Sequence, residues 1–159
     1  MAHRAFRSHF VGTRAIPAAW LGVMALCAGL ASPAWADIGQ IKVVRGQVSV
    51  QRQGQALPAQ VGMLLEPADV LKTGSDGAVG ITMRDNALLS AGPNSILALS
   101  QFEFDATTSQ GRFDARLQRG TLAVVSGRMA KQSPEAMTVR TPSAVLAVRG
   151  TEFVVQADE

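Results

Sequence analysis

Short apolar runs that end in Gly, Pro, Asp or Asn corners follow one another from residue 41 almost to the end of the chain. Runs of this length, rich in β-branched residues and bounded by such corners, are typical of β-strands. Val48 and Val50 alternate with polar residues, and Val79, Ile81 and Met83 have the same spacing, which predicts strands with one buried face. No segment beyond residue 36 has a convincing helical period. The sequence therefore predicts an all-β domain.

Two kinds of corner recur along the chain with similar residue types. The segment 71–78 aligns with the segment 89–96, and the tripeptide Arg-Gly-Thr occurs at residues 119–121 and again at residues 149–151. Matching corners between short strands predict a small β-solenoid-like domain or a rolled β-sheet. A β-sandwich with similar hairpins is the alternative.

The first 36 residues have the composition of a helical signal peptide for export. Three arginines precede an apolar run at residues 20–30, which is too short to span a bilayer comfortably. Ala34-Trp35-Ala36 fits the small-x-small pattern of a cleavage site. We therefore expect cleavage after Ala36 and export to the periplasm of a domain at residues 37–159, with no stable membrane anchor after cleavage. An uncleaved membrane anchor is the alternative.

Removal of this leader changes both the charge and the chemistry of the chain. The sequence carries 15 Lys and Arg against 12 Asp and Glu, and three arginines leave with the leader, so the exported domain has no net charge. We therefore expect no nucleic acid among its partners. Both His residues, the single Cys and both Trp residues also lie in the leader, and the chain has no Tyr.

The residue types that are missing from the exported domain restrict its function. Without His and Cys it lacks the usual ligands of zinc, copper and haem, and it lacks the general base of the common nucleophilic triads. Glu103 and Asp105 share one face of a predicted strand, as two glycosidase carboxylates would. However, Phe102 and Phe104 on the other face indicate an amphipathic strand, and no Trp or Tyr is present to stack on a sugar. We therefore predict that the protein is not an enzyme and has no catalytic residue, cofactor or metal site.

Six short motifs follow one another in an order that matches a known family. They lie at residues 70–74, 85–89, 92–95, 117–120, 139–142 and 148–153, and the Thr-Pro pair and the closing Arg-Gly-Thr-Glu-Phe are the most specific. In this order the chain resembles the FecR domain, the periplasmic β-domain of regulators in iron-siderophore signalling. The candidate structural or interaction residues within these motifs are Gly74, Asp85, Gly92, Asn94, Gly120, Thr141, Pro142, Arg149, Gly150, Thr151, Glu152 and Phe153.

The resemblance implies a β-rich, solenoid-like fold and a part in relaying signals from outer-membrane receptors. A cleavable leader stands where a full-length regulator has its sigma-factor-controlling segment and membrane helix, so we do not expect sigma-factor control. We expect a non-catalytic periplasmic domain in envelope signalling or scaffolding, which binds another envelope protein through strand edges or loop corners. A carbohydrate- or peptidoglycan-binding module is the alternative.

Charged side chains near the corners are candidates for partner contacts or for structural ion pairs. Arg149 and Glu152 flank Gly150, and a bend there would allow a structural ion pair, whereas contact with a partner is the alternative. The alternating charges at residues 112–116 predict a solvated strand face with salt bridges along it, rather than a phosphate-binding groove. The basic stretch at residues 127–135 predicts a loop.

Overall fold

The computed structural model describes residues 37–133, 135–150 and 152–158, so the predicted signal peptide at residues 1–36 and Thr151 lie outside the described part of the chain. The described residues form β-strands joined by tight corners, with one short helix before the closing strands. The strands are β1 (Gly39–Arg45), β2 (Val48–Arg52), β3 (Gln55–Pro58), β4 (Leu64–Leu65), β5 (Val70–Thr73), β6 (Ala78–Met83), β7 (Leu88–Ala91), β8 (Ile96–Phe104), β9 (Gly111–Val125), β10 (Met137–Arg140), β11 (Val145–Ala147) and β12 (Glu152–Ala157), and the helix is α1 (Arg128–Gln132).

The strands form one continuous, curled sheet. Its order is β3-β2-β5-β8-β9-β7-β6-β1-β4, with β10 and β12 added to β9 and β11 added to β10. Among the described strands, neighbours are antiparallel except β9 and β10. The prediction of an all-β domain is therefore confirmed. Of the predicted architectures the protein has the rolled sheet, because stacked solenoid rungs would pair in parallel.

The curl brings two parts of the sheet around one core. Sheet A consists of β4, β1, β6, β7, the second part of β9 and β12, and sheet B consists of β3, β2, β5, β8, the first part of β9, β10 and β11. One buried cluster contains Ile41, Ile81 and Leu122 from sheet A together with Leu71 and Leu97 from sheet B. Each such side chain contributes about 1.5–3 kcal/mol when it leaves water, so these positions hold the two sheets together.

The chain passes between sheets A and B at four corners that lie side by side. These corners are at residues 46–47 between β1 and β2, 74–77 between β5 and β6, 92–95 between β7 and β8, and 120–121 within β9. The Gly74 amide donates to the Gln47 carbonyl at 2.8 Å, and the Asn94 amide donates to the Gly74 carbonyl at 2.9 Å. The Gly92 amide donates to the Thr121 carbonyl at 3.0 Å. Backbone hydrogen bonds therefore join each corner to the next, and we call these four corners the corner row.

Two buried hydroxyl groups complete the hydrogen bonding of the corner row. The Ser95 amide donates to Thr73 Oγ1 at 2.8 Å, and that hydroxyl donates to the Gly92 carbonyl at 2.6 Å. Ser95 Oγ accepts from the Thr121 amide at 3.0 Å and donates to the Thr121 carbonyl at 3.2 Å. Buried backbone groups must be paired, so these two side chains allow the corners to pack closely against one another.

Strand β9 passes from sheet B to sheet A because it bends at Gly120. The backbone of Gly120 has a φ of 91°, which side chains other than Gly rarely adopt. A Cβ at this position would lie 2.2 Å from Ser95 Oγ and 2.5 Å from Ser95 Cα. Gly120 is therefore required both by the backbone conformation and by the close approach of the neighbouring corner.

The helix α1 corrects the prediction of a loop at residues 127–135. Its amide at Arg128 donates to the Asp85 carbonyl at 2.8 Å, and Met129 and Ala130 are buried in the core. A helix of five residues is too short to show a hydrophobic period in the sequence, which is why the pattern did not predict it. Its basic residues Arg128 and Lys131 are exposed, as the loop prediction expected.

We expect Gly120→Ala to lower the free energy of unfolding by about 2–4 kcal/mol, because the new methyl group adds both backbone strain and a collision with Ser95. Chemical denaturation of the purified protein measures this loss. Gly54→Ala is the matched control, because Gly54 has a φ of 82° and nothing lies within 4 Å of its added Cβ. We expect this control to cost about 1 kcal/mol, from the backbone alone. Equal losses in the two variants would contradict the close approach at the corner row.

Candidate functional site

Most of the predicted motif residues lie in two parts of the structure, the corner row and the closing part of the chain. Gly74, Gly92, Asn94 and Gly120 lie in the corner row, where they shape the backbone. Six others lie on the closing part of the chain from β10 to β12: Thr141, Pro142, Arg149, Gly150, Glu152 and Phe153. Thr151 lies outside the described residues. Pro142, Arg149, Gly150 and Glu152 are exposed, so the closing part of the chain is a candidate surface for contacts with other molecules.

Asp85 belongs to the β6–β7 hairpin and is almost completely buried. Its Oδ1 accepts from the Ala87 amide at 3.1 Å, and Asn86 beside it has a φ of 67°, the left-handed conformation of a three-residue hairpin loop. A Cβ on Gly127 would lie 2.4 Å from Asp85 Oδ2. The carboxylate thus orders the hairpin loop, and the backbone carbonyl of Asp85 accepts from the Arg128 amide at the start of α1.

Thr141 and Pro142 form the exposed corner between β10 and β11. The Thr141 amide donates to the Ala144 carbonyl at 2.8 Å, and the Ala144 amide donates to Thr141 Oγ1 at 3.0 Å. This corner forms one wall of an open groove of about 610 Å³. The groove is lined by Arg116, Gln118, Arg140, Thr141, Pro142 and Val145.

Of the predicted solvated face with salt bridges at residues 112–116, the solvation is wrong for Asp114, although this residue does form an ion pair. Asp114 is buried, and its Oδ2 accepts from Arg140 Nε at 2.8 Å. The parallel pairing of β9 with β10 places Arg140 next to Arg116 and within reach of Asp114. The partner of Asp114 comes from a strand 26 residues away in sequence, so a pattern along β9 alone did not predict this ion pair.

The predicted structural ion pair between Arg149 and Glu152 is not among the ion pairs of the described residues. Both side chains are exposed, so burial does not force them to pair. Gly150 between them does have the expected bend, with a φ of 60°. Phe153, in contrast, lies opposite Val124 of β9 and packs against the core.

Strand β12 offers the longest free edge among the described strands. It pairs on one side with β9 and has no other described neighbour. The other edge strands are less open: β4 has two residues, β11 has three, and β3 ends in Pro58. Natural proteins protect sheet edges by keeping them short or by adding Pro, and β12, with six residues and no Pro, has neither protection.

The outer face of sheet A next to β12 carries an apolar groove. Val43, Leu88 and Val125 are exposed along it, with the small residues Gly80 and Ala123 between them. The groove has a volume of about 330 Å³ and reaches Glu152 at the start of β12. On β12 itself the outward residue Val154 lies opposite Ala123 and is 68% exposed. The free edge and the apolar face are therefore continuous.

A second cluster of charges, which the sequence analysis missed, joins β2 to the segment before β5. Arg52 donates two hydrogen bonds to Asp69, Nε to Oδ1 at 2.9 Å and Nη2 to Oδ2 at 2.7 Å, and Nη1 contacts Glu66 Oε1 at 2.7 Å. The Asp69 side chain is 1% exposed, and its Oδ2 also accepts from the Glu66 amide at 2.9 Å. Hydrogen bonding to Asp69 is the main reason that the pKa of the Arg52 guanidinium is raised above its ordinary value. The only hint in the sequence is an Asp directly before an apolar run.

The pair of carboxylates considered for glycoside hydrolysis has structural contacts instead. The Thr107 and Thr108 amides donate to Asp105 Oδ1, and the first of these bonds is the main reason that the pKa of Asp105 is lowered. Glu103 is exposed and accepts from Gln101 Nε2 at 3.0 Å. Asp105 therefore orders the β8–β9 loop.

Within residues 37–133, 135–150 and 152–158, no cluster of His, Cys, Asp and Glu side chains is arranged to hold a metal ion. Across these same ranges, no helix has both the length and the apolar character needed to cross a membrane.

The family model described as FecR protein matches residues 69–159, which include the later corners of the corner row and all of the closing strands. The chain belongs to the FecR family. The resemblance seen in the sequence is therefore confirmed. This family is regulatory and in general comprises envelope-associated, signalling-related domains. No curated protein and no solved structure matches the chain.

The FecR match begins at Asp69, but the domain begins earlier. Strand β1 pairs with β6, and β2 pairs with β5, so residues before the matched range complete both sheets. Arg52, which also lies before the matched range, forms an ion pair with Asp69, the first residue of that range. The structural unit therefore includes β1–β4.

We expect Arg52→Met to lower the free energy of unfolding by about 3 kcal/mol, because it leaves the buried Asp69 carboxylate without its cation. Asp69→Asn alone should also destabilise the protein, because it breaks the paired contact with the guanidinium. Combining Arg52→Met with Asp69→Asn should cost less than the sum of the two single changes, since a neutral amide needs no cation and still accepts from the Glu66 amide. A denaturation cycle over the four proteins measures this coupling, and strictly additive losses would contradict it.

Proposed function

We propose that this FecR-family chain is a non-catalytic periplasmic domain in envelope signalling or scaffolding. It binds an extended segment of another envelope protein, which adds to sheet A as a strand at the free edge of β12. The proposal includes export by the predicted signal peptide and cleavage after Ala36. The observation that carries it is the open, six-residue edge of β12 in a family of signalling-related domains.

Strand addition suits the chemistry of this chain. The interaction depends on backbone amides and carbonyls, so it needs none of the residue types that catalysis or metal binding would require. Beyond residue 36 the sequence has no His, Cys, Trp or Tyr, which supports binding by backbone pairing. Alternate side chains of the added strand supply specificity, because they project onto the two faces of the sheet.

The apolar groove on sheet A supports this mode of binding. A strand beside β12 would project every second side chain onto the outer face of sheet A. This is the face that carries Val154, Val125 and Leu88. Burying these exposed aliphatic side chains would contribute about 25 cal/mol for each Å² removed from water. Backbone pairing and apolar contact would thus act at the same place.

We expect a photo-reactive phenylalanine in place of Val154 to crosslink, in living cells, to one envelope protein other than this chain. Light-dependent bands identified by mass spectrometry measure the result. Val61 is the matched control, because it is 66% exposed, close to the 68% of Val154, but lies in the turn between β3 and β4. Absence of a product at Val154, or the same product at both positions, would contradict binding at the β12 edge.

A carbohydrate- or peptidoglycan-binding module is the second candidate function. The observation that favours it is the open groove beside the β10–β11 corner, where two guanidinium groups, an amide and a hydroxyl converge. Such groups donate hydrogen bonds to sugar hydroxyls and to carboxylates. Without an aromatic platform in this groove, binding would depend on polar contacts alone.

Sedimentation with purified cell wall, stripped of protein by alkali, separates the two functions. We expect the protein to stay in the supernatant, because the proposed partner is a protein and has been removed. Arg116→Gln, which leaves the Arg140–Asp114 ion pair in place, is the comparison variant. Sedimentation that is lost on Arg116→Gln would favour the glycan-binding function.

A further inference from the structure

We infer that the segment bound at β12 carries a basic side chain at each end of its paired stretch and an aliphatic side chain between them. This inference rests on the proposed function, since it describes the partner of the same edge. It is carried by the charges and the exposure of the β12 side chains.

The side chains of β12 alternate between the core and the solvent. Phe153, Val155 and Ala157 face the core side, where Ala157 is buried and the other two are partly buried. The alternate residues Glu152, Val154 and Gln156 are exposed, and Asp158 continues the same alternation beyond the strand. The outer row of this edge is therefore acidic, aliphatic, polar and acidic in turn.

The two carboxylates of this row have no cation among the described residues. The described ion pairs join Arg52, Arg84 and Arg140 to other acids. Asp158 Oδ1 accepts from Gln156 Nε2 at 2.9 Å, which is a neutral donor. The cross-strand neighbour of Glu152 is Val125, which is also neutral.

The basic groups near β12 have other surroundings. Lys42 lines the apolar groove together with Glu152, but its ammonium group donates to Gln40. Arg149 is exposed beyond the bend at Gly150 and forms no described ion pair with Glu152. Next to Asp158 the register of β9 and β12 places Arg119, which donates to the Asn94 carbonyl at 3.3 Å. The outer row of β12 itself therefore carries two carboxylates, one on each side of the exposed Val154.

Charge complementarity selects the chemistry of the partner. In a sheet, opposite charges on directly facing residues contribute roughly 0.2–1 kcal/mol, and like charges destabilise by similar amounts. A basic residue facing Glu152, an aliphatic residue facing Val154 and a basic residue facing Asp158 would satisfy the whole row. Because sheet side chains repeat every two residues, the two basic residues of the partner are six positions apart.

The same charges disfavour a second copy of this chain as the occupant. An antiparallel pair of β12 strands centred on Val154 would place Glu152 opposite Gln156 of the other copy. Each Glu152 would then face a neutral amide, and β12 has no basic residue that could face it. A basic segment of another protein supplies the cation that a second copy lacks.

Two labelled peptides test this inference on the purified, exported protein. One has the sequence Lys-Thr-Thr-Thr-Val-Thr-Lys, and the other has Glu in place of both Lys residues. Aligned antiparallel to β12, their end residues face Asp158 and Glu152 and their Val faces Val154. We expect the basic peptide to bind about tenfold more tightly at low salt, measured by fluorescence anisotropy, since two attractive contacts replace two repulsive ones.

The protein with Glu152→Lys and Asp158→Lys should reverse this preference and bind the acidic peptide more tightly. Both positions are exposed, so we expect these changes to leave the fold intact, which circular dichroism checks. The control protein carries Glu103→Lys and Glu135→Lys, the same charge change at exposed positions away from β12. It should retain the original preference, which separates local pairing from net charge.

Three results would overturn the inference, and they differ from failure of the proposed function. They are equal binding of the two peptides, a preference that the control also reverses, and sedimentation equilibrium that shows self-association abolished by Val154→Lys. The first two results leave strand addition standing if Val154 still crosslinks to an envelope protein. Loss of that crosslink removes the proposed function itself, whatever the peptides do.

Discussion

The structure depends on the backbone hydrogen bonds that join the four corners of the corner row. Each corner turns the chain from one sheet into the other, and each donates to or accepts from the next, as the Gly74 amide does with the Gln47 carbonyl. Because neighbouring corners approach each other closely, a side chain at Gly120 would collide with Ser95. The curl of the sheet, and hence the enclosed core, follows from this one line of close contacts.

The strands and corners were predictable from the sequence because they are local. Alternation along β6 and the Asp85-Asn86 turn each depend on a few neighbouring residues, and both occur as expected. The contacts that were missed, Arg52 with Asp69 and Arg140 with Asp114, join strands far apart in sequence. The residue pattern within one strand does not show which other strand will pair with it. For the same reason, the motif residues were identified without showing which of them lie on the surface.

The closing strands combine two roles that the motif does not distinguish. Phe153 packs β12 against the core, whereas Glu152 and Val154 on the same strand face outward. Their alternation lets one six-residue segment complete sheet A and offer an edge to another molecule. Arg149 and Glu152 were predicted to form an ion pair. Among the described ion pairs they are not joined, and they lie as separate exposed charges on either side of a bend.

The position at which the family match begins has a practical consequence for work with protein fragments. A fragment cut at Asp69 would lack β1 and β2, so the inner strands β5 and β6 would become the new borders of the molecule. Those borders carry core residues such as Leu71, Val79 and Ile81, which would then meet water. Such a fragment would aggregate through these exposed strand edges. Any binding that it displayed would then reflect non-specific association caused by the truncation.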